Sequence, residues 1–222
     1  MGKYTAAIFD LDGTLLDSLN VWEQVDKNFL AKRGLPLSPD YTEAVASMSF
    51  EESARYTIDR FHLHETPEEL KQEWNDMVAQ EYAHHIKLKP GAQECLQFLQ
   101  AQGFKLGVAT ALPKELYVPV LQNNGILCLF HAFSSVTETT RGKGFPDIYL
   151  LCAQRLGVPP ETCLVFEDVL LGLQGAKAAG MGAVGVYDRC SNLLQEAALS
   201  IADGYIKSLF EVTKQKFCKK FL

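Results

Sequence analysis

Ala6-Ala7-Ile8-Phe9-Asp10-Leu11-Asp12-Gly13-Thr14 sets a short apolar run against two carboxylates separated by a single residue. The run reads as a buried strand, and the acids arrive where it ends. Gly13 then allows a sharp turn. Residues two apart on a strand point to one face, so Asp10 and Asp12 crowd a common space. Such crowding is unfavourable unless a cation or a shared proton relieves it. A plain strand end with an Asp-Gly turn accounts for each residue singly, but leaves the acidic pair without a partner.

Outward from this stretch, strand-like and helix-like segments alternate from Phe104 onward. Strands are expected over 104–109, 164–166 and 183–186, and helices over 114–123, 146–156 and 171–179. Alternation of this kind implies an α/β fold, a Rossmann-like doubly wound parallel sheet covered on both faces. Residues 18–86 carry helical patterns and no convincing strand. Ser18 is expected as an N-cap, followed by an apolar stripe of Val21, Trp22, Val25, Phe29 and Leu30. Thr66-Pro67-Glu68-Glu69 reads as a capping box, with Leu70, Trp74, Met77 and Val78 continuing one face. Pro90-Gly91 marks the return to the α/β body. The expected organisation is a core of residues 1–16 and 88–222, with a helical cap of residues 17–87 inserted after the first strand.

The chain has 222 residues, 47% of them hydrophobic, enough for a real core. A net charge of -6 gives no electrostatic footprint for nucleic acid. The basic cluster Lys214, Lys216, Lys219 and Lys220 reads as a solvated terminal helix. Six cysteines show neither CxxC nor zinc-ligand spacing and are expected as buried, reduced thiols. No apolar stretch approaches a membrane span, and the N-terminus lacks a signal-peptide pattern. Ala6 breaks a myristoylation pattern. A cytoplasmic protein without membrane or nucleic-acid partners is expected, as a monomer or weak homodimer.

Other motifs fail on context. Gly180-Met181-Gly182-Ala183-Val184-Gly185 matches GxGxxG, but a helix precedes it and a strand follows, the reverse of a dinucleotide site. Gly180 and Gly182 are expected as helix C-cap glycines. Gly142-Lys143-Gly144 lacks the Ser or Thr of a P-loop. His62, His64, His84 and His85 are expected on the surface of the helical insert.

Thr110 follows one expected strand, Glu167-Asp168 another, and Lys143 precedes the helix near Pro146. Ligands of open parallel sheets bind beyond the strands' carboxyl ends. A hydroxyl, several carboxylates and an ammonium gathered there suit a phosphoryl group and a divalent metal.

On these residues the sequence resembles the haloacid dehalogenase superfamily, in the subgroup whose helical cap follows the first strand. Asp10-Leu11-Asp12-Gly13-Thr14 matches the first motif, DxDGT, and Thr110 the second. Lys143-Gly144-Phe145-Pro146-Asp147 resembles the third, and Glu167-Asp168 the fourth. Gly144 stands where proline is usual, and Val169 where serine is usual. The resemblance implies that Asp10 is the nucleophile and Asp12 the general acid and base. It further implies Mg2+ held by Asp10, the Asp12 backbone carbonyl and Asp168, with Glu167 assisting. Thr110 and the Ala111 N–H would bind phosphoryl oxygens, and Lys143 would keep Asp10 ionised.

The function implied is a Mg2+-dependent phosphatase acting on a small phosphorylated metabolite. Asp12 supports it, because dehalogenases and phosphonate-cleaving relatives lack that second aspartate. A sugar-phosphate mutase resembling β-phosphoglucomutase shares the acidic core. Mutase caps usually carry an arginine beside a glycine in the substrate loop, and residues 46–52 contain neither. A non-catalytic phosphate-sensing or partner-binding module is the reading from another class. Met48, Ser49, Phe50 and Glu51 are the expected cap loop facing the leaving group.

Overall fold

The computed structural model describes residues 3–45, 48, 50–191, 193 and 195–222. Strand β1 (Ala6–Phe9) is followed by helices α1 (Val21–Lys32), α2 (Pro39–Val45), α3 (Phe50–Phe61) and α4 (Pro67–Gln80). Then come α5 (Ala92–Ala101), β2 (Lys105–Thr110), α6 (Lys114–Asn123), β3 (Ala132–Ser135), α7 (Asp147–Leu156) and β4 (Cys163–Glu167). The chain continues through α8 (Leu170–Ala178), β5 (Gly182–Val186), α9 (Gln195–Leu199), β6 (Gly204–Ile206) and α10 (Gln215–Phe221). It divides into two compact units, Met1–Leu19 with Ile86–Leu222, and Asn20–His85.

The first unit holds a six-stranded sheet in the order β3-β2-β1-β4-β5-β6, with every pairing parallel. All residues of β1, β4 and β5 are buried, as expected of strands covered on both faces. One face packs Ile8, Val165 and Ala183 against Ile148, Tyr149 and Leu173 from α7 and α8. On the other, Phe9 stacks on Phe166 at 4.6 Å, and Phe217 of α10 lies 6.1 Å from Phe166. The chain runs outward from β1 to β3 and then returns to β4. β1 and β4 therefore flank the switch point, where the crevice of such sheets forms.

Strands β2 and β4 run one residue beyond the apolar pattern, because Thr110 pairs with Ser135 and Glu167 with Gly185. Gly180 follows α8 with a φ of 76°, as expected. Gly182 is not a cap: it lies in β5, where an added Cβ would meet the Tyr4 hydroxyl oxygen at 2.4 Å.

In the second unit, the expected capping box at Thr66 and Glu69 is present. Phe29 packs edge-on to Trp74 at 5.5 Å, and Leu70, Trp74 and Val78 are buried. Arg33 lies over the Phe29 ring and pairs with Glu65 and Glu73 at 2.7 and 2.6 Å. Trp22 departs from its expected place in the buried stripe, being 47% exposed. His62, His64, His84 and His85 are exposed. Among the described residues no helix is long and apolar enough to cross a membrane.

Candidate active site

The end of β1 is shaped by its backbone. Asp10 N–H donates to Phe166 O at 3.0 Å, carrying the β1–β4 pairing one residue past the strand. Leu11 O then accepts from the N–H groups of Thr14, Leu15 and Leu16, closing a tight turn. Gly13 occupies that turn at φ 78°, a conformation that side chains with a Cβ avoid. A Cβ there would also stand 2.3 Å from Asp168 Oδ2. Thr14, fully buried, donates its hydroxyl to Asp168 Oδ1 at 3.2 Å.

Ser18 is not an N-cap. α1 begins after Asn20, and the Ser18 hydroxyl donates to Asp12 Oδ1 at 2.5 Å instead. A carboxylate is a stronger acceptor than the competing alternatives, and a charge-assisted bond of this kind is short. Lys89 secures the turn from beneath, donating to Gly13 O, Tyr187 O and the Asp188 carboxylate at 2.5, 2.7 and 2.8 Å.

Beside this turn, Lys143 bridges two strand ends. Its ammonium pairs with Asp10 and donates to Glu167 Oε1 at 2.7 Å. Tyr149 of α7 donates to the same Glu167 oxygen at 3.1 Å. Two glycines of α8 make this possible. A Cβ on Gly172 would stand 2.2 Å from Glu167 Cδ, and one on Gly175 would stand 2.0 Å from Lys143 O. The helix thus presses directly on the acidic residue and on the loop that carries the lysine. At Gly144 an added Cβ would make only ordinary contact, with Leu171 at 3.6 Å. Val169, 39% exposed, brings no hydroxyl to the site.

Asp10, Lys143, Glu167 and Asp168 are therefore brought together. Asp12 lies close enough to Asp10 to raise its pKa. Thr110 sits fully buried at the end of β2, and its Oγ1 accepts from Leu112 N–H at 3.1 Å. Ala111 is exposed at the following position. Tyr149, Ser18, Lys89, Gly172 and Gly175 carry no sequence signal of the kind that marks the acidic motifs. Their roles arise only from tertiary approach.

Burial pushes Asp10 above the usual carboxylate range, opposed by Lys143 and reinforced by Asp12. Glu167 rises to about 7 for the same leading reason, with Lys143 opposing. Asp168 rises to about 8 through burial and the neighbouring Asp10 and Glu167 charges. Burial acts against the Lys143 ammonium, but Asp10 and Glu167 outweigh it and hold its pKa above the lysine range. Three carboxylates face one ammonium, so two negative charges would lack compensation if all were ionised, and without a cation the raised pKa values favour protonation instead.

Ligand oxygens of Asp10, Glu167 and Asp168 lie within 4.8 Å of one another. Asp168 Oδ2 is buried with no hydrogen-bond partner among the described residues. An all-oxygen set whose full ionisation needs added positive charge, with an orphaned carboxylate oxygen, fits a hard divalent cation.

The sequence profile of the haloacid dehalogenase-like hydrolases matches residues 7–186. The chain belongs to this family. Among its relatives is hexitol phosphatase B of Escherichia coli, 28% identical and covering 94% of each chain. A Drosophila melanogaster protein named as a probable pseudouridine-5'-phosphatase is 31% identical over 97% of this chain and 94% of its own. A Thermotoga maritima crystal structure provisionally named a β-phosphoglucomutase superposes with a TM-score of 0.86. It is 26% identical and covers 98% of this chain and 99% of its own. The haloacid dehalogenase-like hydrolase described here thus aligns over 94 to 98% of its length with proteins named as phosphatases or a phosphoglucomutase.

Proposed function

We propose that this hydrolase is a Mg2+-dependent phosphatase that cleaves a small phosphate monoester through an aspartyl-phosphate on Asp10. The observation that carries the reading is the Asp10–Lys143–Glu167–Asp168 cluster, with its unpartnered Asp168 oxygen. Asp10, the Asp12 backbone carbonyl and Asp168 would hold Mg2+, with Glu167 assisting from a position already shared with Lys143 and Tyr149. When bound, Mg2+ neutralises the excess carboxylate charge and polarises the phosphoryl group.

Asp10 supplies the attacking oxygen; a phosphorus–oxygen bond forms to its carboxylate as the ester bond breaks. Lys143 keeps that carboxylate ionised by pairing with it. Asp12 delivers a proton to the departing alkoxide and then takes one from the water that cleaves the acyl phosphate. Such proton transfer contributes roughly 10²–10⁴-fold. Ser18 fixes the Asp12 carboxylate for both steps. Thr110 and the Ala111 N–H bind phosphoryl oxygens.

The E. coli relatives include a hexitol phosphatase and a fructose-1-phosphate phosphatase, which supports a small phosphorylated metabolite as substrate. We read the helical unit as the cap that selects its organic group. In the expected selecting loop, Ser49 lies outside the described residues, as do Ala46 and Ser47 of the stretch lacking the mutase arginine. Arg55 pairs with Glu51 at 3.0 Å. All six cysteines are free thiols, which fits a cytoplasmic setting; Cys95, Cys152 and Cys163 are buried as expected, whereas Cys128 and Cys190 are exposed.

The test is phosphate release from an aryl phosphate with Mg2+. Wild type should turn over and Asp10→Asn should fall to background. Equal rates for the two proteins would sink the phosphatase reading. Conversion of a hexose 1-phosphate to its 6-phosphate with a bisphosphate primer would replace it with the mutase.

A further inference from the structure

Lys89 belongs to none of the acidic motifs, yet it holds the turn at the end of β1 from a second side. It stands just after the chain re-enters the first unit at Ile86 and just before α5. Its backbone is fixed at both ends. The Lys89 N–H donates to Leu15 O at 2.8 Å, and its carbonyl accepts from Ala92 N–H at 3.0 Å. Beside it, Leu88 bridges antiparallel to Leu16, and Asp17 N–H donates to Lys87 O at 3.0 Å. The segment is thus laid along the residues that follow the catalytic turn.

An ammonium has three N–H donors. Lys89 uses all of them, on Gly13 O, Tyr187 O and Asp188 Oδ2. Two of these partners are firm anchors. Tyr187 N–H donates to Ile206 O at 2.9 Å, which ties it to β6. Asp188, 6% exposed, also accepts from Cys190 N–H at 2.7 Å. Burial acts against the Asp188 charge, but the Lys89 and Cys190 bonds hold its pKa below the usual carboxylate range. The third partner lies in the active site. Gly13 abuts Asp168 at its α-carbon, where a Cβ would stand 2.3 Å from Oδ2, and meets Lys89 through its carbonyl. An ion pair that served stability alone would need Asp188 and nothing from this turn.

We propose that Lys89 is a positioning residue for phosphoryl transfer: its ammonium ties Gly13 to the ends of β5 and β6 and so holds Asp10 and Asp12 in register with Asp168. Lys89 itself touches neither phosphorus nor the leaving group. Its catalytic role rests on the phosphatase reading; the tether does not. Misplacing a reacting group by ~1 Å can cost about 10²-fold, so a loosened turn costs rate rather than substrate affinity.

Removing one member of a buried ion pair leaves the other uncompensated, whereas removing both spares that penalty. Lys89→Met should lower the thermal midpoint, and Lys89→Met combined with Asp188→Asn should recover part of the loss. In this double variant, kcat on an aryl phosphate with Mg2+ should stay down by about ten- to a hundredfold, with KM within about twofold. A double variant with wild-type kcat, or with its loss carried wholly by KM, would overturn the proposal. The missing donor can also be returned from solvent, because Lys89 lines a cavity of about 260 Å³ with Asp17, Pro90, Tyr187 and Ser208 among others. Ethylammonium, with three N–H donors, should restore the rate of Lys89→Ala saturably. Tetramethylammonium, which has the charge and no donor, should not. Failure of ethylammonium, or equal rescue by both ions, would count against a hydrogen-bonded tether. Hydrogen exchange of the Gly13–Leu16 amides, all bonded within the turn, needs no turnover and should quicken about tenfold or more in the double variant. Unchanged exchange would remove the tether. Quickened exchange with an inert wild type would instead sink the phosphatase reading and leave the tether standing.

Discussion

Gly172 of α8 lies so near Glu167 of β4 that a Cβ on it would stand 2.4 Å from Glu167 Oε1. The contact lets the helix press directly on the carboxylate that shares Lys143 with Asp10. At an ordinary helical position, replacing glycine by alanine helps by ~0.8–1.0 kcal/mol. Here the added methyl overpacks a buried site, which typically costs about 1–3 kcal/mol. Gly172→Ala should lower the thermal midpoint and raise the Mg2+ concentration needed for turnover. Gly144→Ala, with only a 3.6 Å contact to Leu171, should stay within about 0.5 kcal/mol of wild type. Thermal unfolding of the two variants side by side checks the contrast.

Tyr149 gives Glu167 its second donor, from a hydroxyl buried against the sheet. Tyr149→Phe removes a hydrogen bond to a charged acceptor, a loss of roughly 1.5–3 kcal/mol. That bond holds the Glu167 pKa down against burial, so without it the pKa climbs above about 7. Protons then compete more strongly with a metal. The expected outcome is a Mg2+ affinity that is reduced at pH 7 and recovers towards wild type near pH 8.5. An equal deficit at both pH values would contradict the electrostatic account.

The acidic motifs were legible because their logic is local: an apolar run, two carboxylates on one face, a glycine. The same holds for α6, whose observed span Lys114–Asn123 matches the pattern. β3 was not legible, because two of its four residues are serines. Those hydroxyls are satisfied by carbonyls that no local pattern reveals: Ser134 donates to Val108 O and Ser135 to Leu112 O. Ser18 misled for a related reason. A hydroxyl just before a helical stripe reads as a cap, and only the folded turn supplies the Asp12 carboxylate that captures it. Gly172 and Gly175 carry no local signal either, since what they accommodate comes from other elements.

Asp168 makes the unit's stability depend on metal and pH together. Its carboxyl sits at about 8 when folded, far above the value near 3.9 of an unfolded chain. Below about pH 4 both states are protonated and no difference arises. As pH rises from 4 to 8 the unfolded chain releases its proton first, so metal-free stability falls through that window. Asp168→Asn lacks this penalty, while its amide oxygen can still accept from Thr14. At pH 7 in EDTA the variant should melt above wild type. Saturating Mg2+ should reverse the order, since ligand at 100 times its dissociation constant adds ~2.7 kcal/mol to a protein that binds it. A variant that responds to Mg2+ as wild type does would remove Asp168 from the ligand set.

Asp26 sets a second, independent pH dependence in the helical unit. Burial, then the Glu23 charge, raises it to about 6, and Tyr41 is the other titratable group facing it. The sign follows from the raised value. Between about pH 4 and 6 the unfolded chain loses its proton while the folded carboxyl keeps one, so stability falls as pH rises. Above 6 the full penalty persists. Asp26→Asn should therefore raise the thermal midpoint at pH 7 to 8 and leave it unchanged near pH 4. The reverse pattern, a variant destabilised at neutral pH, would mean that Asp26 is held ionised by a favourable partner.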